Sequence, residues 1–367
     1  MLSIDLPIQY HHSPKRSIIY PIGFDIVPIV AESEARQTAE RALVRAGVPV
    51  ENASVQVDLW LDADLRGVPS HGLLRLERLV ERLAAGLVDP KTSGKQEWRG
   101  SSYLVVDGDN GLGPVVANAA LAKVTARARE AGIALAAIRN SQHLGMLAWY
   151  AERIARDGQA AIVLSTSEAL VHPWGGRHAM VGTNPISIAV PTGEADPFVM
   201  DAATSRVSMG EIHDYANRGE SLPPDWALDA RGDPTTDPNA AKAGAIAPFG
   251  DAKGYAMGLA FELLVSALSG AALGTDVHGT LDAVHPCNKG DVFIVIDGPN
   301  TAGLSAYLEL IRTAEPASGF ERVLVPGERG RAKRAKQIKS GVPIADTVWR
   351  RIQHLAHGAQ SLERVTS

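Results

Sequence analysis

The stretch Ile133-Ala134-Leu135-Ala136-Ala137-Ile138-Arg139-Asn140-Ser141-Gln142-His143-Leu144-Gly145 decides how this chain is read. Ile133 to Ile138 is an apolar run short enough for a strand, and the turn Arg139–Gly145 follows at once. A helix from Met146 to Arg156, capped by Gly158, is expected next. His143 therefore lies between a strand end and a helix start, a common address for chemistry in α/β proteins.

Working outward, Val116, Ala120, Val124 and Ala128 form one helical stripe that Gly132 ends. Ala160 to Leu164 makes another strand. Ile186 to Val190 and Phe198 to Met200 flank the Pro191–Pro197 turn, a spacing that favours an antiparallel pair. Residues 217–250 are rich in Pro, Gly, Asp and Thr and are expected to form a long ordered loop or an active-site cover. Gly254 to Leu268 returns to helix, Val292 to Ile296 is a buried strand, and a last helix runs from Ile344 to Leu355. Before the sheet, Glu32–Ala46 and Glu51–Leu65 carry helical spacing with Gly47 and Gly67 as stops, and a third helix is expected from Leu73 to Ala85.

A chain of 367 residues exceeds one ordinary core. Its 45% hydrophobic and 21% charged content places it among globular proteins rather than disordered ones. A net charge of −5 gives no electrostatic reason to expect nucleic acid or an anionic membrane. Cys287 is the single cysteine, which excludes an intrachain disulfide and any CxxC pair and fits a reducing compartment. The opening residues carry Lys15 and Arg16 without a sustained apolar run, a poor signal peptide, and no window approaches about 18 apolar residues. Cytoplasm is the expected location, and the first 30 residues read as an extension whose purpose the sequence does not reveal.

Two histidines stand in glycine-flanked segments: Ser70-His71-Gly72 with Arg75, and Ser141-Gln142-His143 with Gly145. An imidazole near neutral pKa can take a hydroxyl proton and return it, and a helix N-terminus favours its neutral form. The bland alternative is a loop histidine satisfied by backbone. Arg75 can clamp a carboxylate through two charge-assisted hydrogen bonds. Without its Ser70-His71-Gly72 neighbour it would read as a surface helix arginine among Glu77, Arg78, Glu81 and Arg82. Gly108-Asp109-Asn110-Gly111-Leu112-Gly113 lacks the G-x-G-x-x-G spacing of a dinucleotide fold, so a Rossmann domain is disfavoured and the segment reads as a turn. The small residues of Asp201-Ala202-Ala203-Thr204-Ser205 and Gly182-Thr183-Asn184-Pro185 would let backbone approach a ribose or pyrophosphate, and Asp201 could equally cap a helix. His172 with His178, and His278 with Asp282 and His285, lack recognised metal-ligand spacing. The basic run 329–339 reads as a solvated helix face, or a phosphate contact at most.

Taken in order, these segments resemble the malate/L-lactate dehydrogenase family of the non-Rossmann kind. That family also includes ureidoglycolate and sulfolactate dehydrogenases, diketogulonate reductase and Δ1-piperideine-2-carboxylate reductases. The likeness runs from Glu32 to the C-terminal helix and adds Trp174-Gly175-Gly176, Lys253-Gly254-Tyr255, Asn288-x-Gly290 and Pro326-Gly327-Glu328 to the motifs above. It implies His143 as the catalytic histidine and Arg75, Ser70 and Thr183 as substrate contacts. It implies His71, Gly145, Met146, Leu147, Asp201, Ala202, Ala203, Thr204, Ser205, Lys253, Asn288, Gly327 and Glu328 as contacts of NAD or NADP. The implied fold is α+β: a largely antiparallel sheet wrapped by helices, beside a helical lobe, in a homodimer. The expected division is an extension at 1–30, a helical lobe at 31–105 rejoined by 309–367, and a cofactor-binding domain at 106–308.

Three departures stand out. Leu79 replaces an aromatic residue common near the substrate. Ser167 replaces a lysine of ureidoglycolate dehydrogenases, which makes that activity a poor match. Met209 and Glu211 replace basic residues that bear on the choice between NAD and NADP. The expected reaction interconverts a small 2-hydroxy acid and its 2-oxo acid, with reduction of a cyclic imine carboxylate or non-catalytic cofactor binding as the rivals. No nucleic-acid, membrane or metal partner is expected.

Overall fold

A computed structural model describes residues 27–358. The helical lobe is built from α1 (Glu32–Arg45), α2 (Val50–Arg66) and α3 (Leu76–Ala84). Gly67, at φ 78°, closes α2 in the left-handed conformation that glycine adopts without strain. Leu43, Val57, Trp60, Leu61 and Leu76 form the lobe's core, which Trp349 and Ile352 of α11 (Asp346–His357) complete. The C-terminal segment thus returns to the lobe. A short ribbon, β1 (Ile29–Val30) against β12 (Val342–Pro343), ties the segment before α1 to the segment before α11. Residues 29 and 30 therefore belong to the lobe, and the rest of the expected extension up to residue 26 lies outside the described residues.

The second body is a seven-stranded sheet. Its strands are β2 (Lys95–Arg99), β3 (Tyr103–Asp107), β4 (Ile133–Arg139), β5 (Ala160–Ser165), β6 (Ile186–Val190), β7 (Phe198–Ala202) and β11 (Gly290–Ile296). Their order is β2-β3-β4-β11-β5-β6-β7. Every neighbouring pair of this sheet is antiparallel except β3–β4, whose crossover is the helix α4 (Gly113–Ala131). The strand β11 lies in the middle, with Phe293 opposite Ala136 of β4 and Val163 of β5. Helices α4 and α5 (Ala148–Arg156) cover one face and α8 (Ala252–Ser269) the other. Burial on both faces explains why β4 and β11 read as continuous apolar runs rather than alternating ones. The Ile186–Val190 and Phe198–Ala202 strands pair antiparallel as their spacing implies.

Two sequence expectations change. Residues 95–105, read as part of the helical lobe, instead supply β2 and most of β3 of the main sheet. The edge strand β2, Lys-Gln-Glu-Trp-Arg, is mostly polar and offers little apolar periodicity to detect. Residues 217–250 are largely irregular, as expected of a long ordered loop, but carry short elements of their own. With α6 (Met209–Arg218) they build a small unit of β8 (Ala227–Leu228), β9 (Pro234–Thr235), α7 (Pro238–Lys242) and β10 (Ala245–Ile246) around Ile212, Leu222, Ala241 and Ile246. Its elements are two to ten residues long, too short for a periodicity reading. Two more helices, α9 (Leu304–Arg312) and α10 (Glu328–Ser340), lead back to the lobe.

Lobe and sheet are joined by ions as well as packing. Arg66 of α2 bonds Asp62 at 2.7 Å and Glu152 of α5 at 2.6 Å, while Arg334 of α10 reaches Asp62 at 2.6 Å. Glu152 is 3% exposed. Burial by itself would raise its pKa, but hydrogen bonds and charge from Arg66 and Arg156 outweigh that and hold it below the usual value. Its contribution is therefore present at neutral pH and lost as pH falls through the depressed folded-state pKa. Removing one partner of a buried pair leaves the other charge unneutralised. Glu152→Ala is expected to lower the unfolding free energy at pH 7 by about 3 kcal/mol in urea titration, and an unchanged midpoint would contradict this role.

Candidate active site

The site begins with one carboxylate. Asp64, in the last turn of α2 and 7% exposed, accepts the Leu73 N–H at 2.8 Å. A Cβ at residue 72 would lie 2.1 Å from Asp64 Oδ1, so the chain passes this point only as glycine. The contact shapes two 3-10 turns, Pro69–His71 and Leu73–Arg75, where sequence periodicity implied that α3 starts at Leu73. The helix proper begins at Leu76, whose N–H closes the preceding 3-10 turn on Leu73 O.

These turns deliver His71 and Arg75 to His143, which arrives on the loop after β4. The two imidazole centroids are 5.3 Å apart. Ser70 Oγ lies 3.0 Å from His71 Nδ1, and Arg75 Nε donates to Ser70 O at 2.8 Å. The His143 loop is held on both flanks. Ser141 Oγ donates to Asp291 Oδ2 at 3.3 Å, and Asp291 is paired with buried Lys289 at 2.5 Å and bonded by Ser165 at 2.6 Å. On the lobe side, Gln142 accepts from Arg82 Nε at 2.9 Å and donates to Leu87 O at 3.0 Å.

Burial is the first cause of a pKa for His143 well below the usual value, and the charges of Arg75, His71 and Lys289 add to it. Burial, then the Arg75 charge, pushes His71 down to about 4. Both rings are neutral near pH 7. Arg75 and His143 line one cleft together with Trp60, Leu79, Arg82 and Thr280.

The other candidate residues fall in several places. Gly145 sits at φ 77° with Leu59 directly beneath, where a Cβ would approach to 2.5 Å, and Met146 and Leu147 are buried beside it. The helix expected from Met146 starts at Ala148. Asp201 Oδ2 accepts the Ala148 N–H at 2.7 Å, so it does cap a helix, though one distant in sequence. Its pKa rises to about 6, chiefly by burial, against the opposing Ala148 N–H and Arg66 charge. Ala202 and Ala203 are exposed at the end of β7. Thr204 donates to Thr183 O through both N–H (2.8 Å) and Oγ1 (3.0 Å), and Thr183 in turn meets Ser167 Oγ.

Ser205 Oγ is buried and has no hydrogen-bond partner among the described residues. An orphaned hydroxyl beside small exposed residues fits a polar ligand along this edge. Lys253 is exposed on the first turn of α8. The Asn288 side chain pins the 276–278 turn through Asp276 O and His278 N–H. Glu328 is ion-paired with Arg312 at 2.6 Å and accepts the Val325 N–H, while Gly327 starts α10 at φ 91°. The Asn288 and Glu328 side chains are thus held by contacts of their own. Sequence reasoning passed over Asp64, Lys289 and Asp291, which carry no motif, and assigned Arg82 to the surface.

The loop between β4 and α5 thus sets a histidine beside the His71–Arg75 turn. The chain belongs to the malate/L-lactate dehydrogenase family, whose model matches residues 30–353. It is 35% identical to the L-sulfolactate dehydrogenase of Methanocaldococcus jannaschii over 322 residues, covering 86% of this chain and 92% of that protein. It is also 35% identical to the (2R)-3-sulfolactate dehydrogenase (NADP(+)) of Chromohalobacter salexigens, over 85% of this chain and 93% of the other. A solved dehydrogenase structure from Sinorhizobium meliloti superposes with a TM-score of 0.86 at 49% identity, covering 90% of this chain and 98% of that one. No helix among the described residues is long and apolar enough to cross a membrane.

The Asp64 carboxyl has a pKa raised to about 7 by burial, against the opposing Leu73 N–H. The folded state thus holds this proton where the unfolded chain has released it, so stability from this group falls as pH rises from about 4 to about 7. Asp64→Asn, which keeps an acceptor for Leu73 without the charge, is expected to raise the urea midpoint at pH 8 relative to wild type and to change it little at pH 5. A pH-independent difference would contradict the assignment.

Proposed function

We propose that this oxidoreductase interconverts a small 2-hydroxy acid and its 2-oxo acid with NAD or NADP. The observation that carries the reading is the convergence of Arg75 and His143 on one cleft. Arg75 uses Nε on Ser70 O, which leaves its two terminal nitrogens to meet a carboxylate as a fork. Ser70 and Thr183 are proposed as further contacts of the substrate. His143, neutral and shielded from bulk water, takes the proton from the substrate hydroxyl during oxidation and returns it to the carbonyl oxygen during reduction. A bound nicotinamide supplies or accepts the hydride at C2. His71, the Gly145–Leu147 loop and Asp201–Ser205 are proposed to hold it, with Ser205 Oγ as an available donor. Lys253, Asn288, Gly327 and Glu328 remain proposed contacts of its outer parts.

A homodimer is proposed as well, supported by the exposed Met257, Leu263 and Leu264 on α8. A cytoplasmic location is proposed from the single free cysteine.

Replacing His143 with Ala is expected to lower turnover by roughly 10²- to 10⁴-fold while NADH binding, read by fluorescence, stays within a few-fold. Near-normal turnover would refute the role. Because the His143 base is neutral above a depressed pKa, kcat/KM for oxidation should hold its plateau as pH falls to 6. An acid limb centred at 6.5 or higher would contradict this.

A further inference from the structure

Between the 3-10 turn Gly274–Asp276 and β11 the chain runs without helix or strand, and its middle reaches the cleft. The segment is braced internally. Asn288 accepts the His278 N–H at 2.7 Å and donates to Asp276 O at 3.0 Å, and the His278 and His285 rings stack at 4.4 Å. Asp282 accepts the Val284 and His285 N–H groups and meets His285 Nδ1.

Both bodies of the protein hold its tip. From the sheet, Glu168, just past β5, accepts the Leu281 N–H at 3.2 Å. From the lobe, Arg82 Nη1 donates to Asp282 O at 2.7 Å. Beside these two anchors, Thr280 lines the same cleft as Arg75 and His143.

Gly279 packs directly on the Glu168 carboxylate. A Cβ at residue 279 would lie 2.1 Å from Oε1 and 2.4 Å from Oε2. Such a side chain fits only if the carboxylate moves, and moving it breaks the bond to Leu281. One glycine and one carboxylate thus set where residue 280 stands.

We infer that Glu168 is a positioning residue for the substrate: it latches the 279–281 tip against the cleft, so that Thr280 forms one wall of the substrate site. This rests on the 2-hydroxy acid reading above. A closed wall keeps water from the Arg75–carboxylate contact, which strengthens that attraction. The competing role for Glu168 is a counter-charge to Arg75: burial lowers the Arg75 pKa, and the Glu168 charge opposes that. Replacing the carboxylate by an amide separates the two roles, because an amide oxygen still accepts the Leu281 N–H and carries no charge.

The test measures KM and kcat for pyruvate, oxaloacetate and 2-oxobutyrate, with NADH and with NADPH, in wild type, Glu168→Gln, Glu168→Ala and Gly279→Ala. Glu168→Ala and Gly279→Ala are expected to raise KM for the best of these acids roughly tenfold, with kcat held within about threefold and KM for the cofactor unchanged. Glu168→Gln should stay within about threefold of wild type. Thr280→Tyr, which leaves the latch in place and narrows the cleft, should raise KM more for 2-oxobutyrate than for pyruvate. Unchanged KM in Glu168→Ala and Gly279→Ala, or an effect of Glu168→Gln as large as that of Glu168→Ala, overturns the inference and leaves the 2-hydroxy acid reading intact. Hydrogen exchange at the Leu281 amide reads the latch without turnover. It should be slow in wild type and Glu168→Gln and fast in Glu168→Ala, and a fast wild-type amide overturns the inference. If wild type reduces none of the three acids with either cofactor, the 2-hydroxy acid reading fails and the substrate role of Glu168 with it.

Discussion

A guanidinium and two imidazoles meet in one cleft of this protein, and burial, with the Arg75 charge added to it, keeps both rings neutral. Arg75 makes no ion pair among the described residues, so its positive charge acts on whatever is near. Burial already disfavours imidazolium at His143, and Arg75 adds to that. A ring kept neutral can accept a proton from an alcohol. When a carboxylate neutralises Arg75, the repulsion relaxes and the protonated ring becomes easier to form. Substrate binding and proton acceptance are thus coupled through one charge.

The scaffold exists to hold that corner between two bodies. The lobe delivers His71 and Arg75 through a turn fixed by Asp64 and Gly72, while the sheet delivers His143 from the end of β4. Its loop is anchored in the sheet at Asp291 and in the lobe at Arg82. The Arg66–Glu152–Asp62–Arg334 network joins the same two bodies at another point. Relative movement of lobe and sheet would separate the histidines, which explains why buried ions, costly to place, recur along this junction.

The sequence carried much of this plainly. The β4 strand, its polar loop and the following helix were legible because an apolar run flanked by glycines has few other readings. The antiparallel β6–β7 pair followed from a short turn. What stayed hidden had no local signal. The polar strand β2 joins the sheet through backbone pairing with β3, which side-chain periodicity does not record. The elements between 217 and 250 are stabilised by a small core of their own rather than by propensity. Arg82 looked like one more charge on an amphipathic helix, and only packing against Gln142 and the 282 loop reveals that it is buried. Asp64 and Lys289 acquire meaning only from neighbours distant in the chain.

The most direct measurement is the titration of the His143 ring by ¹⁵N NMR in the free protein, with and without Arg75→Met. The account predicts a neutral ring at pH 6 in the wild-type protein and a higher titration midpoint once the guanidinium is removed. An imidazolium at pH 6, or a midpoint indifferent to Arg75, would contradict it.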